Sequence, residues 1–464
     1  MNIKVVSYEA LILVMWFFSA ILIISAYESI VPFLFCASLI LFVTSLLTFF
    51  SSLSLNELKM VHLSLITYFI GVGIVSIYLL HLGDNGGNGL YFYEASISGG
   101  QFQSAVEKFD FETRGENIAA IYVWESMYLF ARSLGLEYAR YIGQITNAIF
   151  LSLSLIMVLK SAEIITGDYK RKIGLISAMF LASGIIWLFG STHLRDGQVL
   201  FYFLALIYFW IRLIARPNFL NVMLLIPVTI FCIWIFRMLR VEFSFLPGIF
   251  LVTAAAAFLL SNISYHRLLK LLPLISTIFV CGGIAVYLIF QDLLLQLVTA
   301  YEIYTEVSTR RGDESSLGNQ LVVNAPIPLR IIFGAAYLFV FPIPVWSGFQ
   351  LDSARHLFIS LNAVYFYFFT PAYIYSVWRV LKTQKLRTTA NLFLILVVVG
   401  MTFGIALTSL ESRHFGQLLP LMILTVANLD FSDVDTKKDL KRLTVIYLAG
   451  ILGIHALWFV LKVF

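Results

Sequence analysis

The stretch that decides the fold runs from Met60 to Leu80, MVHLSLITYFIGVGIVSIYLL, and contains no Asp, Glu, Lys or Arg. A helix rises 1.5 Å per residue, so about 20 such residues span the roughly 30 Å hydrocarbon core of a bilayer. Backbone groups in that layer must bond within the chain, and such a run reads as a transmembrane helix. Similar runs recur throughout the 464 residues, which are 60% hydrophobic and only 12% charged. A soluble domain carries about 25% charged residues. A β-barrel would alternate apolar and polar residues in short strands, and these runs do not alternate. The fold class is therefore all-α, a polytopic integral membrane protein.

Hydropathy gives about 13 spans. They are Ser7–Ala26, Ile30–Phe50, Met60–Leu80, Tyr138–Leu159, Ile173–Gly190, Gln198–Ile214, Val222–Phe236, Phe243–Ser261, Leu271–Phe290, Leu357–Trp378, Asn391–Ser409, Gly416–Leu429 and Thr444–Val463. The first run has no small-residue cleavage site behind it, so it is expected to remain as a span. With the N-terminus inside, the inner connections hold Lys4, Lys59, Lys160–Lys172, Arg212/Arg216, Arg267/Lys270, Arg379–Arg387 and Lys437–Arg442. All are basic, as the positive-inside rule requires. The outer connections before the C-terminal tail contain one lysine, Lys108.

A single membrane domain, 1–464, is expected, with large outer loops over 81–137 and 291–356. Ile118–Leu134 has apolar helical periodicity but carries Glu125 and Arg132, which suits an amphipathic helix on the outer surface. Ile331–Trp346 ends in FPIPVW and reads as re-entrant or interfacial, because Pro342 and Pro344 break a helix there. The cysteines, Cys36, Cys232 and Cys281, all lie in apolar runs without metal spacing, which suits core thiols.

The outer arginines carry the chemical signal: Arg114, Arg132, Arg195, Arg237, Arg240, Arg310, Arg311, Arg330, Arg355 and Arg413. The positive-inside rule disfavours them there. A planar guanidinium matches phosphate or carboxylate bidentately, which a lysine does not. Arg310 and Arg311 lie in TRRGDESSLGN, Thr309–Asn319. Acids stand near several: Asp196 by Arg195, Glu242 by Arg240, Asp313 by Arg311, Glu411 by Arg413. Ion pairs tying loops together would produce the same pattern. His414, in the short turn ESRH, is a candidate general acid or base. The first outer loop supplies Asp84 and Glu94 in GDNGGNGLYFYEA, with Tyr91 and Tyr93 as aromatic surface for a sugar. No spacing matches a zinc site, a P-loop, a dinucleotide fingerprint or a serine-hydrolase elbow, and nothing suggests nucleic acid.

Short arginine-bearing outer turns, an early acidic loop and a late large loop on about a dozen spans resemble bacterial O-antigen and capsule repeat-unit polymerases of the Wzy type. The chain also resembles the wider GT-C superfamily of glycosyltransferases. The resemblance implies a GT-C-like fold in the bacterial inner membrane, with the working face periplasmic. It implies joining of undecaprenyl-diphosphate-linked glycan repeat units. Arg195, Arg237, Arg240, Arg310, Arg311 and Arg413 would hold the diphosphate, and Asp84, Glu94 or His414 would take the acceptor proton. Asp196, Glu242, Glu411, Tyr91 and Tyr93 would support them. Partners would be the lipid-linked glycan, membrane lipid and a chain-length regulator protein. No cofactor is required where guanidinium groups supply the charge. Two alternatives stay open. One is a GT-C transferase using a polyprenyl-phosphate sugar, or a glycan ligase, for which a divalent metal would be in play. The other is a non-enzymatic flippase of lipid-linked glycan.

Overall fold

The computed structural model describes residues 8–84, 88–97, 118–262, 326–340, 345–350, 352–407 and 411–463. Among the described residues the chain is helical and contains no strand. In order the helices are α1 (Tyr8–Tyr27), α2 (Val31–Phe50), α3 (Leu55–His81), α4 (Asn88–Ile97), α5 (Ile118–Ser133), α6 (Arg140–Ile165), α7 (Tyr169–Leu181), α8 (Gly184–Ser191) and α9 (Asp196–Ala215). They continue with α10 (Phe219–Leu239), α11 (Leu246–Ser261), α12 (Ile327–Leu338), α13 (Ala354–Lys382), α14 (Thr389–Leu407), α15 (Ser412–Gly416), α16 (Leu419–Val426) and α17 (Val434–Val463).

Ten of the described helices are long and apolar enough to cross a membrane, so the chain is a multi-pass membrane protein. Two expected spans differ. Ile173–Gly190 is broken: α7 and α8 meet at 72°. Gly416–Leu429 is not one continuous helix but is built from the end of α15 and from α16, helices of 5 and 8 residues. Every residue of α16 is buried, so this run is apolar because protein surrounds it. A short apolar run cannot be told from a core segment by hydropathy alone. Leu271–Phe290 lies outside the described residues.

The chain divides into two compact units, Met1–Gly248 with Trp346–Tyr365, and Ile249–Val345 with Phe366–Phe464. In the first, α3 is the hub. The most apolar window of α3 is 72% buried inside the protein, against 11% for α2, so α2 is peripheral and α3 central. α3 runs antiparallel to α6, and the seam between them is polar and small. Glu57 pairs with Lys160 at 3.0 Å and Ser64 meets Ser152 at 2.7 Å. Small and hydroxyl side chains are the usual way to bring two helices close where lipid gives no hydrophobic drive.

The break between α7 and α8 is built by three residues. Ser183 is extended and starts α8 as its N-cap. Asn362 of α13 accepts from Ser183 Oγ at 2.9 Å and from the Ile185 amide at 3.3 Å, which serves the first turn of a helix that begins inside the protein. Gly184 permits the approach, because a Cβ there would overlap the Phe358 carbonyl oxygen.

In the second unit, Arg330 of α12 donates from Nε to the Ala406 carbonyl at 3.4 Å. Phe339, Phe366 and Phe415 form an aromatic cluster. His455 of α17 accepts from the Val345 amide at 3.2 Å and sits 3.4 Å from the Tyr367 hydroxyl. α12 is 12 residues long, about 18 Å, which is too short to cross.

Candidate functional site

The arginine-bearing turn between α8 and α9 is held by side-chain hydrogen bonds from α6. Asn147, on α6, donates from Nδ2 to the Thr192 carbonyl at 2.7 Å and to the Leu194 carbonyl at 2.8 Å. Its Oδ1 accepts from Trp124 Nε1 at 3.2 Å. Both carbonyls flanking His193 are thus held by one carboxamide, which also anchors the surface helix α5. That helix buries Ala120, Ile121, Trp124, Tyr128 and Ala131 along one face.

His193 is 3% exposed. It stacks on Trp124 with ring centroids 4.1 Å apart. Its Nε2 lies 3.5 Å from the Tyr128 hydroxyl, and its Nδ1 has no hydrogen-bond partner. Gly143 leaves the space, since a Cβ there would overlap the imidazole. Burial, helped by the Arg140 guanidinium, pushes the His193 pKa from its ordinary 6.5 down to about 3. The folded protein therefore keeps this ring neutral while the unfolded chain takes up a proton below about pH 6.5. The stabilisation is complete above that pH and falls as pH drops toward 3, by about 1.4 kcal/mol per unit. Between pH 7 and pH 5 the loss should be about 2 kcal/mol, and His193→Phe should remove that slope. Melting curves in detergent at the two pH values check this; equal slopes for parent and variant would refute it.

Arg240 does not take the neighbour in sequence that was expected, Glu242. Arg195 donates to the Leu239 carbonyl, at the end of α10, at 2.5 Å. Arg240 pairs instead with Asp196, at 3.7 Å, with side chains 4% and 1% exposed. Glu242 is exposed, two residues beyond Arg240, and Arg237 is exposed on the last turn of α10. The cause is helix-end chemistry. The last carbonyls of a helix lack intrahelical partners and carry partial negative charge, so they attract a guanidinium. Arg330 serves Ala406 at the end of α14 in the same way, and the His81 ring meets the Ala26 carbonyl of α1 at 3.0 Å. Asp196 opens α9, where an anion is favoured.

Asp84 accepts from Ser353 Oγ at 3.2 Å and from the Ala354 amide at 3.1 Å, so it caps the start of α13. Tyr93 donates to the Tyr138 carbonyl at 3.1 Å and packs edge-on against His193, while Arg140 lies over its ring. Tyr91 and Glu94 are exposed on α4. The first unit thus brings Tyr93, Arg195, Asp196 and Arg240 into one neighbourhood around His193.

In the second unit, Arg413 forms its expected ion pair with Glu411, and His414 Nε2 stands 4.0 Å from the same carboxylate. Arg310 and Arg311 lie outside the described residues. Among the described residues no three His, Cys, Asp or Glu side chains converge. Sequence reading passed over Trp124, Tyr128, Asn147 and Gly143. The available signal was a polar residue, Asn147, and one glycine, Gly143, on an apolar helix, and it gave no partner. No family model, curated protein or solved structure matches this chain.

Proposed function

We propose that the protein is a polysaccharide polymerase of the bacterial inner membrane, joining undecaprenyl-diphosphate-linked glycan repeat units at its outer face. The observation that supports this most is the separation of arginine from lysine along α6. Arg140 begins the helix beside the arginine turn, and Lys160 lies about 30 Å further along it, paired with Glu57. With basic loops inside, the arginine end is the outer one. Arg195 and Arg240 stand at this end, on the turn before α9 and at the end of α10. Arg237 is exposed beside them.

In the reaction, the acceptor sugar hydroxyl attacks the anomeric carbon of the donor. The bond from that carbon to the diphosphate oxygen breaks as the new glycosidic bond forms. Arginines, Arg310, Arg311 and Arg413 among them, neutralise the departing undecaprenyl diphosphate. His414, Asp84 or Glu94 takes the hydroxyl proton. His414 Nε2 stands 4.0 Å from the Glu411 carboxylate.

The broken helix α7–α8 favours a second reading, a flippase of the same lipid-linked glycan. Transporters often place discontinuous helices near the bilayer midplane. One experiment separates the two readings: the length distribution of surface glycan in cells carrying Arg311→Ala or Arg413→Ala. The polymerase should lose long chains while single capped repeats persist. Disappearance of all surface glycan would favour the flippase, or a transferase that builds the repeat. Normal length and amount would overturn the arginine assignment.

A further inference from the structure

We infer that Asn147 is the positioning residue for the arginine turn, holding Arg195 and Asp196 where they meet the end of α10; the inference rests on the proposed use of that turn to bind diphosphate. A carboxamide has one acceptor group and two N–H donors that matter here. Asn147 commits all three: Oδ1 to Trp124, and two hydrogens to the carbonyls of Thr192 and Leu194. The two carbonyls bracket His193, whose ring is wedged between Trp124 and Gly143. The residue following Leu194 is Arg195, which reaches the Leu239 carbonyl, and the next is Asp196, which pairs with Arg240. One buried side chain therefore sets the path of the turn immediately before both charged groups. It also ties the surface helix α5 to the same turn through Trp124. A polar side chain fully buried in an apolar helix is costly unless it is bonded, and here every bond is aimed at the turn or at the helix covering it.

Asn147→Asp tests this. The aspartate keeps the shape and the acceptor but loses both donors, and sets a carboxyl oxygen against two carbonyls. The first readout needs no knowledge of substrate. In full-length protein with Cys36, Cys232 and Cys281 changed to alanine, Leu194→Cys introduces one thiol at a side chain now 8% exposed. Its labelling by a soluble maleimide in detergent should be slow, and Asn147→Asp should speed it at least about tenfold, the population change expected from losing two buried hydrogen bonds. An unchanged rate overturns the inference. The second readout is glycan length in cells with Asn147→Asp, Arg195→Ala and both together. If Asn147 acts through Arg195, the double variant is no shorter in chain length than the worse single variant. Effects that multiply overturn the positioning role, as does normal length in Asn147→Asp when Arg195→Ala loses long chains. If Arg195→Ala itself leaves glycan unchanged, the polymerase reading fails, and the labelling rate still decides how the turn is held. Should Asn147→Asp fail to accumulate, Asn147→Ser, which retains one donor, carries the same comparisons with a smaller expected rise in labelling.

Discussion

Replacing Asp196 with alanine should destabilise the protein by about 3–5 kcal/mol, more than replacing Arg240 with leucine does. The pair is at 3.7 Å and both side chains are almost fully buried. Removing the carboxylate leaves a buried guanidinium that cannot shed its charge, because arginine does not deprotonate in proteins. Removing the guanidinium leaves a carboxylate that can take up a proton and become neutral. The two single variants are therefore unequal at neutral pH. The gap should narrow as pH rises, because protonating the stranded Asp196 then becomes more expensive. Changing both residues, Asp196→Asn with Arg240→Leu, should recover most of the loss. Thermal unfolding in detergent reads all three. Equal losses of 1 kcal/mol or less would mean the pair behaves as an exposed surface bridge. The double variant also bears on function, since it restores stability without restoring the arginine.

The second large effect is at Gly184. Gly184→Ala should cost about 3 kcal/mol or more, at the upper end of overpacking changes. The new Cβ would overlap the Phe358 carbonyl oxygen and stand 2.6 Å from the Asn362 nitrogen. Both are backbone atoms of α13, so no side chain can swing away. α8 would have to withdraw, and the bonds from Ser183 and Ile185 to Asn362 would be lost with it. Gly400, in the middle of α14, is the control: nothing lies within 4 Å of its would-be Cβ. Gly400→Ala should stabilise by about 0.5–1 kcal/mol, the helix-propensity difference. The two substitutions are chemically identical and should differ in sign. A mild effect at Gly184 would show that the break between α7 and α8 is loosely held.

How much of this was legible in the sequence depends on the range of the interaction concerned. The membrane class followed from lengths of apolar runs, and most span positions followed with it. Both are properties of about 20 consecutive residues and need no partner. The two expected spans that are not single continuous helices differ because hydropathy reads composition and not the path of the backbone. α16 is apolar because it is enclosed by protein, and Ile173–Gly190 is apolar on both sides of a break that Ser183, Gly184 and the distant Asn362 create. The charged residues show the same limit. Arg413 with Glu411 was legible because the partners lie two residues apart. Arg195 with Leu239, Arg240 with Asp196 and Asp84 with Ala354 were not, because each joins helix ends far apart in the chain.

By itself the sequence determined that this is a multi-pass helical protein, because hydropathy acts residue by residue against the bilayer. Only the tertiary structure decided which arginine meets which acid or carbonyl, that His193 is sealed beneath Trp124, and that Asn147 holds the turn between them. Those choices depend on where helix ends come together: an unpartnered terminal carbonyl or amide inside a membrane protein must find a charge or a donor, and it takes the nearest in space.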